Sequence, residues 1–136
     1  MTLRDVHRAV GLAAVVLFAG TGVYMHIRYN HLHGMNDTTR LLFRSTHIYL
    51  LFSGLLNLAL GLYLAPAAGA LPRRLQQLGS VLVLLGPLLL LAAFLREPFL
   101  GGLMRPFTRP AVYTALVGMG LHWLSSLATE PAGGAR

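Results

Sequence analysis

The chain has 136 residues, of which 55% are hydrophobic and only 11% charged, and its mean hydropathy is +0.63. A soluble domain carries about 25% charged residues, so this composition suits lipid as the main solvent and leaves room for one domain. The net charge of +7 comes from eleven arginines and no lysine, set in small groups between apolar runs, which fits headgroup anchoring and not nucleic acid.

With no cysteine, disulfides, thiolate chemistry and cysteine-ligated iron–sulfur clusters are excluded. Arg4 and Arg8 ahead of the run Gly11 to Val23 have the charge order of a signal peptide. The run is long for that role and no small-residue cleavage site precedes polar sequence, so it is read as a helix of the mature protein.

Taken in order, the apolar runs predict transmembrane helices over 3–29, 40–64, 75–95 and 111–128, an all-α four-helix membrane bundle with both termini on one side. Thr2 followed by Asp5 is a capping-box start for the first helix. His7, Gly11, Phe18, Gly22 and Met25 share one side of it, with His26 at the edge. Arg8 and Arg28 stand twenty residues apart, or ~30 Å at 1.5 Å per residue, and mark its two interfaces.

A first loop over 30–39 carries turn residues Gly34, Asn36 and Asp37. In the second helix Arg40, His47, Gly54 and Gly61 recur at seven-residue steps and therefore share a face. Pro66, Gly69 and Pro72 break the chain before the third helix, which has Gly79, Gly86 and Ala93 at heptad steps and a kink expected at Pro87. That face is available for a second copy of the chain, giving a homo-oligomer. Arg96 to Pro110 forms the third loop. Ala111, Ala115, Gly118, His122 and Ser125 then make a small-residue stripe around one histidine, before a polar tail over 130–136. Five arginines fall on the terminal side and six on the other, so the positive-inside rule gives no orientation.

An ionisable residue at membrane depth is a functional-site hypothesis. Helical rise puts His7 and His122 near one membrane surface and His26 and His47 near the other. Each pair is read as axial ligands of a b-type haem, with imidazoles from facing helices clamping the iron. Gly11, Gly22, Gly54 and Gly118 offer surface for the macrocycle, and Arg28, Arg40 and Arg44 offer cations for its propionates. The plain alternative is that these histidines are solvated near headgroups or bonded within their own helices, His47 through Thr46 and His122 through Ser125 or Ser126. Asn57, in mid-helix, reads as an interhelical hydrogen-bond clamp. Met25, His26, His31, His33, Met35 and Asp37 form a second constellation, where His31 and His33 are a weaker alternative site for copper or another transition metal.

The layout is similar to that of small bacterial membrane cytochromes of the b type, four-helix proteins with histidine-ligated haems. No motif around His7, His47 or His122 assigns the chain to that family. The expected function is haem-b electron transfer in a bacterial inner membrane, with the lipid bilayer and a quinone or another redox membrane protein as partners. One rival is a non-catalytic transport, channel or assembly subunit that packs through its small-residue faces. The other is a metal-binding protein using the His31/His33 loop. No Asp or Glu lies within an apolar run, which disfavours a carrier built on an embedded carboxylate.

Overall fold

A computed structural model describes residues 2–128, and the regular structure among them is helical. Its elements are α1 (Leu3–Tyr29), α2 (Asp37–Tyr63), α3 (Ala70–Arg96) and α4 (Thr108–Leu127), with single helical turns at Asn30–Leu32 and Glu97–Phe99. The polar tail at 130–136 lies outside the described residues.

Capping chemistry sets where each helix begins. The Asp5 carboxylate accepts from the Thr2 N–H at 2.8 Å and the Thr2 hydroxyl oxygen accepts from the Asp5 N–H at 3.3 Å, so α1 starts where expected. α2 starts at Asp37 and not at 40, because Asn36 Oδ1 accepts from the Thr39 N–H at 2.8 Å. α3 starts at Ala70 and not at 75. Pro72 lies in its first turn, where a missing N–H breaks no helical bond, and Gly69 at φ 93° makes the turn into it. α3 runs unbroken through Pro87.

α4 starts three residues earlier than expected, at Thr108. Its cap arrives from the end of α3. Glu97 is fully buried, and its carboxylate accepts from the N–H groups of Phe107 at 2.8 Å and Thr108 at 2.7 Å and from the Thr108 hydroxyl at 2.5 Å. The carboxylate thus sits against the positive end of the α4 dipole and satisfies donors that would otherwise be buried unpaired.

α1, α2 and α3 are long and apolar enough to cross a membrane. α4 falls short, since His122, Trp123, Ser125 and Ser126 dilute its last turns. Outward-facing Leu12, Val16 and Ile27 on α1, and Leu78, Val81 and Leu88 on α3, are each more than half exposed, as a lipid-facing surface requires.

Glycines decide how closely the helices approach. A Cβ on Gly11 would stand 2.7 Å from the Leu58 backbone nitrogen, and one on Gly61 2.8 Å from that of Arg8. The seven-residue stripe of α2 is therefore its seam with α1. α3 and α4 touch at Gly79 and Gly118, each of whose added Cβ would lie 2.7 Å from the other's carbonyl oxygen. Gly86 faces Ser53 of α2, and Ala93 is fully buried. The Gly79–Gly86–Ala93 face expected to receive a second copy is thus consumed inside the chain, because α3 needs it to approach both α2 and α4. Gly118→Ala is expected to cost ~1–3 kcal/mol by overpacking this contact, measured by denaturant unfolding in detergent.

Side chains also join the helix ends. The Arg4 guanidinium donates to the carbonyls of Gly61 at 3.3 Å and Leu62 at 2.7 Å, and the Ser125 hydroxyl donates to the Pro72 carbonyl at 2.9 Å. The starts of α1 and α3 therefore meet the ends of α2 and α4.

Candidate functional site

At that end, all four helices contribute to one buried polar cluster. His7 of α1 is fully buried and His122 of α4 is 8% exposed, and their ring centroids are 6.2 Å apart with planes at 69°. Each ring is anchored by a residue of another helix. His7 Nδ1 meets Asn57 Oδ1 of α2 at 2.8 Å, and His122 Nε2 meets Ser80 Oγ of α3 at 3.1 Å.

The bonds around Asn57 settle the His7 tautomer. Asn57 Nδ2 donates to the Ser53 carbonyl at 2.9 Å, so Oδ1 is its acceptor and His7 Nδ1 carries the proton. His7 Nε2 then holds a lone pair, and it is buried without a hydrogen-bond partner, as is His122 Nδ1. When Ser80 accepts from His122 Nε2, His122 Nδ1 presents a lone pair as well. Leaving such an atom unpaired in the interior costs ~1–3 kcal/mol. Two such lone pairs in neighbouring rings could be met by a buried water molecule or by a cation.

The separation suits one. Two imidazoles that bind one ion at ~2.0–2.1 Å must be neighbours, and these rings are, with centroids 6.2 Å apart. The anchoring pattern suits it too, since a ligating histidine usually donates its other N–H to a carbonyl or similar acceptor.

The other expected pair, His26 with His47, is not brought together. His47 is half-buried against α1. The Thr21 hydroxyl donates to the Phe18 carbonyl at 2.8 Å, so it accepts from His47 Nδ1 at 2.9 Å, and the His47 ring stacks on Phe18 at 4.1 Å between centroids. The partner is Thr21 on the facing helix, where the sequence suggested Thr46. His26 is exposed, and its Nδ1 lies 2.5 Å from His31 Nε2.

Backbone conformation explains that contact. Asn30, His31 and Leu32 all adopt positive φ, at 42°, 56° and 67°, which reverses the chain so that His31 folds back onto the last turn of α1. Non-glycine residues pay for this conformation, and the burial of Leu32 with Met25, Phe43 and Phe94 offsets it. His33, expected to act with His31, is exposed, and no hydrogen bond or ring contact joins the two. The loop constellation thus reduces to His26 and His31 beside a cavity of about 180 Å³ that Met25 and Arg44 also line. Among the described residues no group of three or more His, Cys, Asp or Glu is placed to hold a metal ion.

Of the arginines expected near propionates, Arg28 and Arg40 have other partners. Arg28 lies over the Tyr29 ring at 5.9 Å, and Arg40 donates to the Met35 carbonyl at 2.9 Å and faces Asp37 at 3.5 Å. Arg44 is exposed. Ser80 and Glu97 were not singled out in the sequence. Ser80 carries a signal in hindsight, as the one polar side chain between Gln77 and Arg96.

A scan of protein-family models, a search of curated proteins and a search of solved structures each returned no match to this chain.

Proposed function

We propose that this chain is an integral membrane four-helix bundle, with both termini on one side, that holds a transition-metal centre between His7 and His122. The observation that carries the reading is the pair of buried imidazole nitrogens with no hydrogen-bond partner, in rings 6.2 Å apart that are each fixed by a different helix. In a cytochrome form, His7 and His122 would hold the haem iron, and the bundle would serve as an electron-transfer protein or subunit.

The donor set fits an iron of this kind. Asn57 and Ser80 hold the rings, and the close α1–α2 and α3–α4 contacts hold the two ligands on separate helix pairs. When bound, a haem supplies one-electron chemistry at a potential set by its two imidazoles and the burial around them. The chain's own contribution is to hold both rings in place, His7 through Asn57 and His122 through Ser80.

The room for a macrocycle is a separate matter, and it favours a second reading. Gly11, Gly54 and Gly118 face the backbones or side chains of neighbouring helices, so the bare surface expected to flank a porphyrin is occupied by protein. A naked ion needs far less room than a porphyrin. With no carboxylate in the cluster, a monovalent ion costs less to bury than a divalent one, and imidazole suits copper. Cu(I) is therefore the second candidate.

Protein purified in mild detergent after growth with iron and copper separates the two readings. A reduced-minus-oxidised spectrum with a b-type α-band supports haem, while a colourless protein with one copper per chain supports the naked ion. Neither metal at stoichiometric level sinks both. His31→Ala is expected to leave the metal content unchanged in elemental analysis, because the loop pair is separate from this cluster.

A further inference from the structure

We propose that the cavity between the start of α1 and the α2–α3 connection binds the phosphate of an anionic phospholipid. The cavity is an open cleft of about 550 Å³, and Arg4, Arg8 and Arg73 line it together with Asp5. Three guanidiniums against one carboxylate leave it positive. Asp5 is already engaged, since it accepts from the Thr2 N–H at 2.8 Å and the Thr2 hydroxyl at 2.7 Å and lies 3.9 Å from Arg8. Arg4 is engaged at the end of α2, where it donates to the Gly61 and Leu62 carbonyls. Arg8 reaches Asp5 only at 3.9 Å and Arg73 is exposed on another helix, so these two are the groups that close on a ligand. Guanidinium forks match phosphate oxygens in pairs.

Size and position decide what kind of phosphate it is. The volume far exceeds what a bare phosphate ion fills, and Leu3, Leu64 and Pro66 give the cavity an apolar wall suited to glycerol and the first methylenes of a chain. The site lies at the ends of helices long and apolar enough to cross a membrane, which is headgroup depth on the bundle reading above, and the inference rests on that reading.

The test is native mass spectrometry of the full chain in detergent, titrated with phosphatidylglycerol, with phosphatidylcholine, and with phosphatidylglycerol plus millimolar inorganic phosphate. One phosphatidylglycerol is expected to stay bound per chain in preference to phosphatidylcholine, without displacement by inorganic phosphate. Each arginine contributes about fivefold near a membrane surface, so Arg8→Gln with Arg73→Gln is expected to weaken retention about 25-fold. Arg96→Gln with Arg109→Gln, at the opposite helix ends, is expected to leave it unchanged. Undiminished retention in the Arg8/Arg73 variant, with helix content intact by circular dichroism, overturns the proposal. So does displacement by inorganic phosphate. Failure of the wild-type chain to insert into vesicles at all would instead remove the membrane reading beneath it, so the two failures are distinguishable.

Discussion

Alanine at His122 is expected to leave the purified protein with less than a tenth of the wild-type metal, and alanine at His7 to do the same. On the proposed reading each substitution removes half of a ligand pair that has no third member to fall back on, because the cluster holds no carboxylate or thiolate. Asn57→Leu probes the support of the site. It keeps both imidazoles but removes the acceptor that fixes His7 Nδ1–H, now bonded at 2.8 Å, and losing such a partner typically weakens metal binding 10–100-fold. Elemental analysis after dialysis against a graded series of chelators reads both effects. If all three variants kept wild-type metal, the ion would lie elsewhere. His47→Ala serves as the control. Its ring is held by Thr21 and Phe18, and its loss is expected to leave the metal in place.

Glu97→Ala is expected to destabilise the protein by about 3 kcal/mol. The residue is fully buried and satisfies three donors at the start of α4. Truncation strands the two N–H groups and the Thr108 hydroxyl in the interior, where each unpaired donor costs ~1–3 kcal/mol, and it removes an anion from the positive end of a helix. Glu97→Gln keeps the length and one acceptor oxygen, so it should recover part of the loss. Unfolding in graded denaturant, followed by circular dichroism, measures both. An alanine variant as stable as wild type would mean that α4 finds another cap.

Much of this arrangement was legible in the residues, and the parts that were not have identifiable causes. The span of α1 follows from an unbroken apolar run with a capping box before it. The nearness of His7 and His122 follows from counting helical rise from the same end of the chain. Asn57 announced itself as a clamp because a lone amide in an apolar run needs a partner from another helix, and that partner is His7. The early starts of α2 and α4 depend on side chains reaching back or across, Asn36 in one case and Glu97 in the other. Apolar periodicity is blind to both. The contact of His26 with His31 rests on three consecutive residues at positive φ, including a leucine, which no propensity favours. The glycine stripes were visible, but their use was not. Gly11, Gly54 and Gly118 read equally well as room for a flat cofactor or as sites of helix contact. Only the distances to Leu58, Ala14 and Gly79 show that neighbouring protein fills that space.

X-ray absorption fine structure at the metal edge of the purified wild-type protein tests the central claim most directly. The account predicts one metal atom per chain with two imidazole nitrogens at ~2.0 Å, a signal lost when His7 and His122 are both replaced by alanine. A protein that inserts into membranes and folds fully while holding no metal, or a metal whose imidazole signal survives the double replacement, would contradict it.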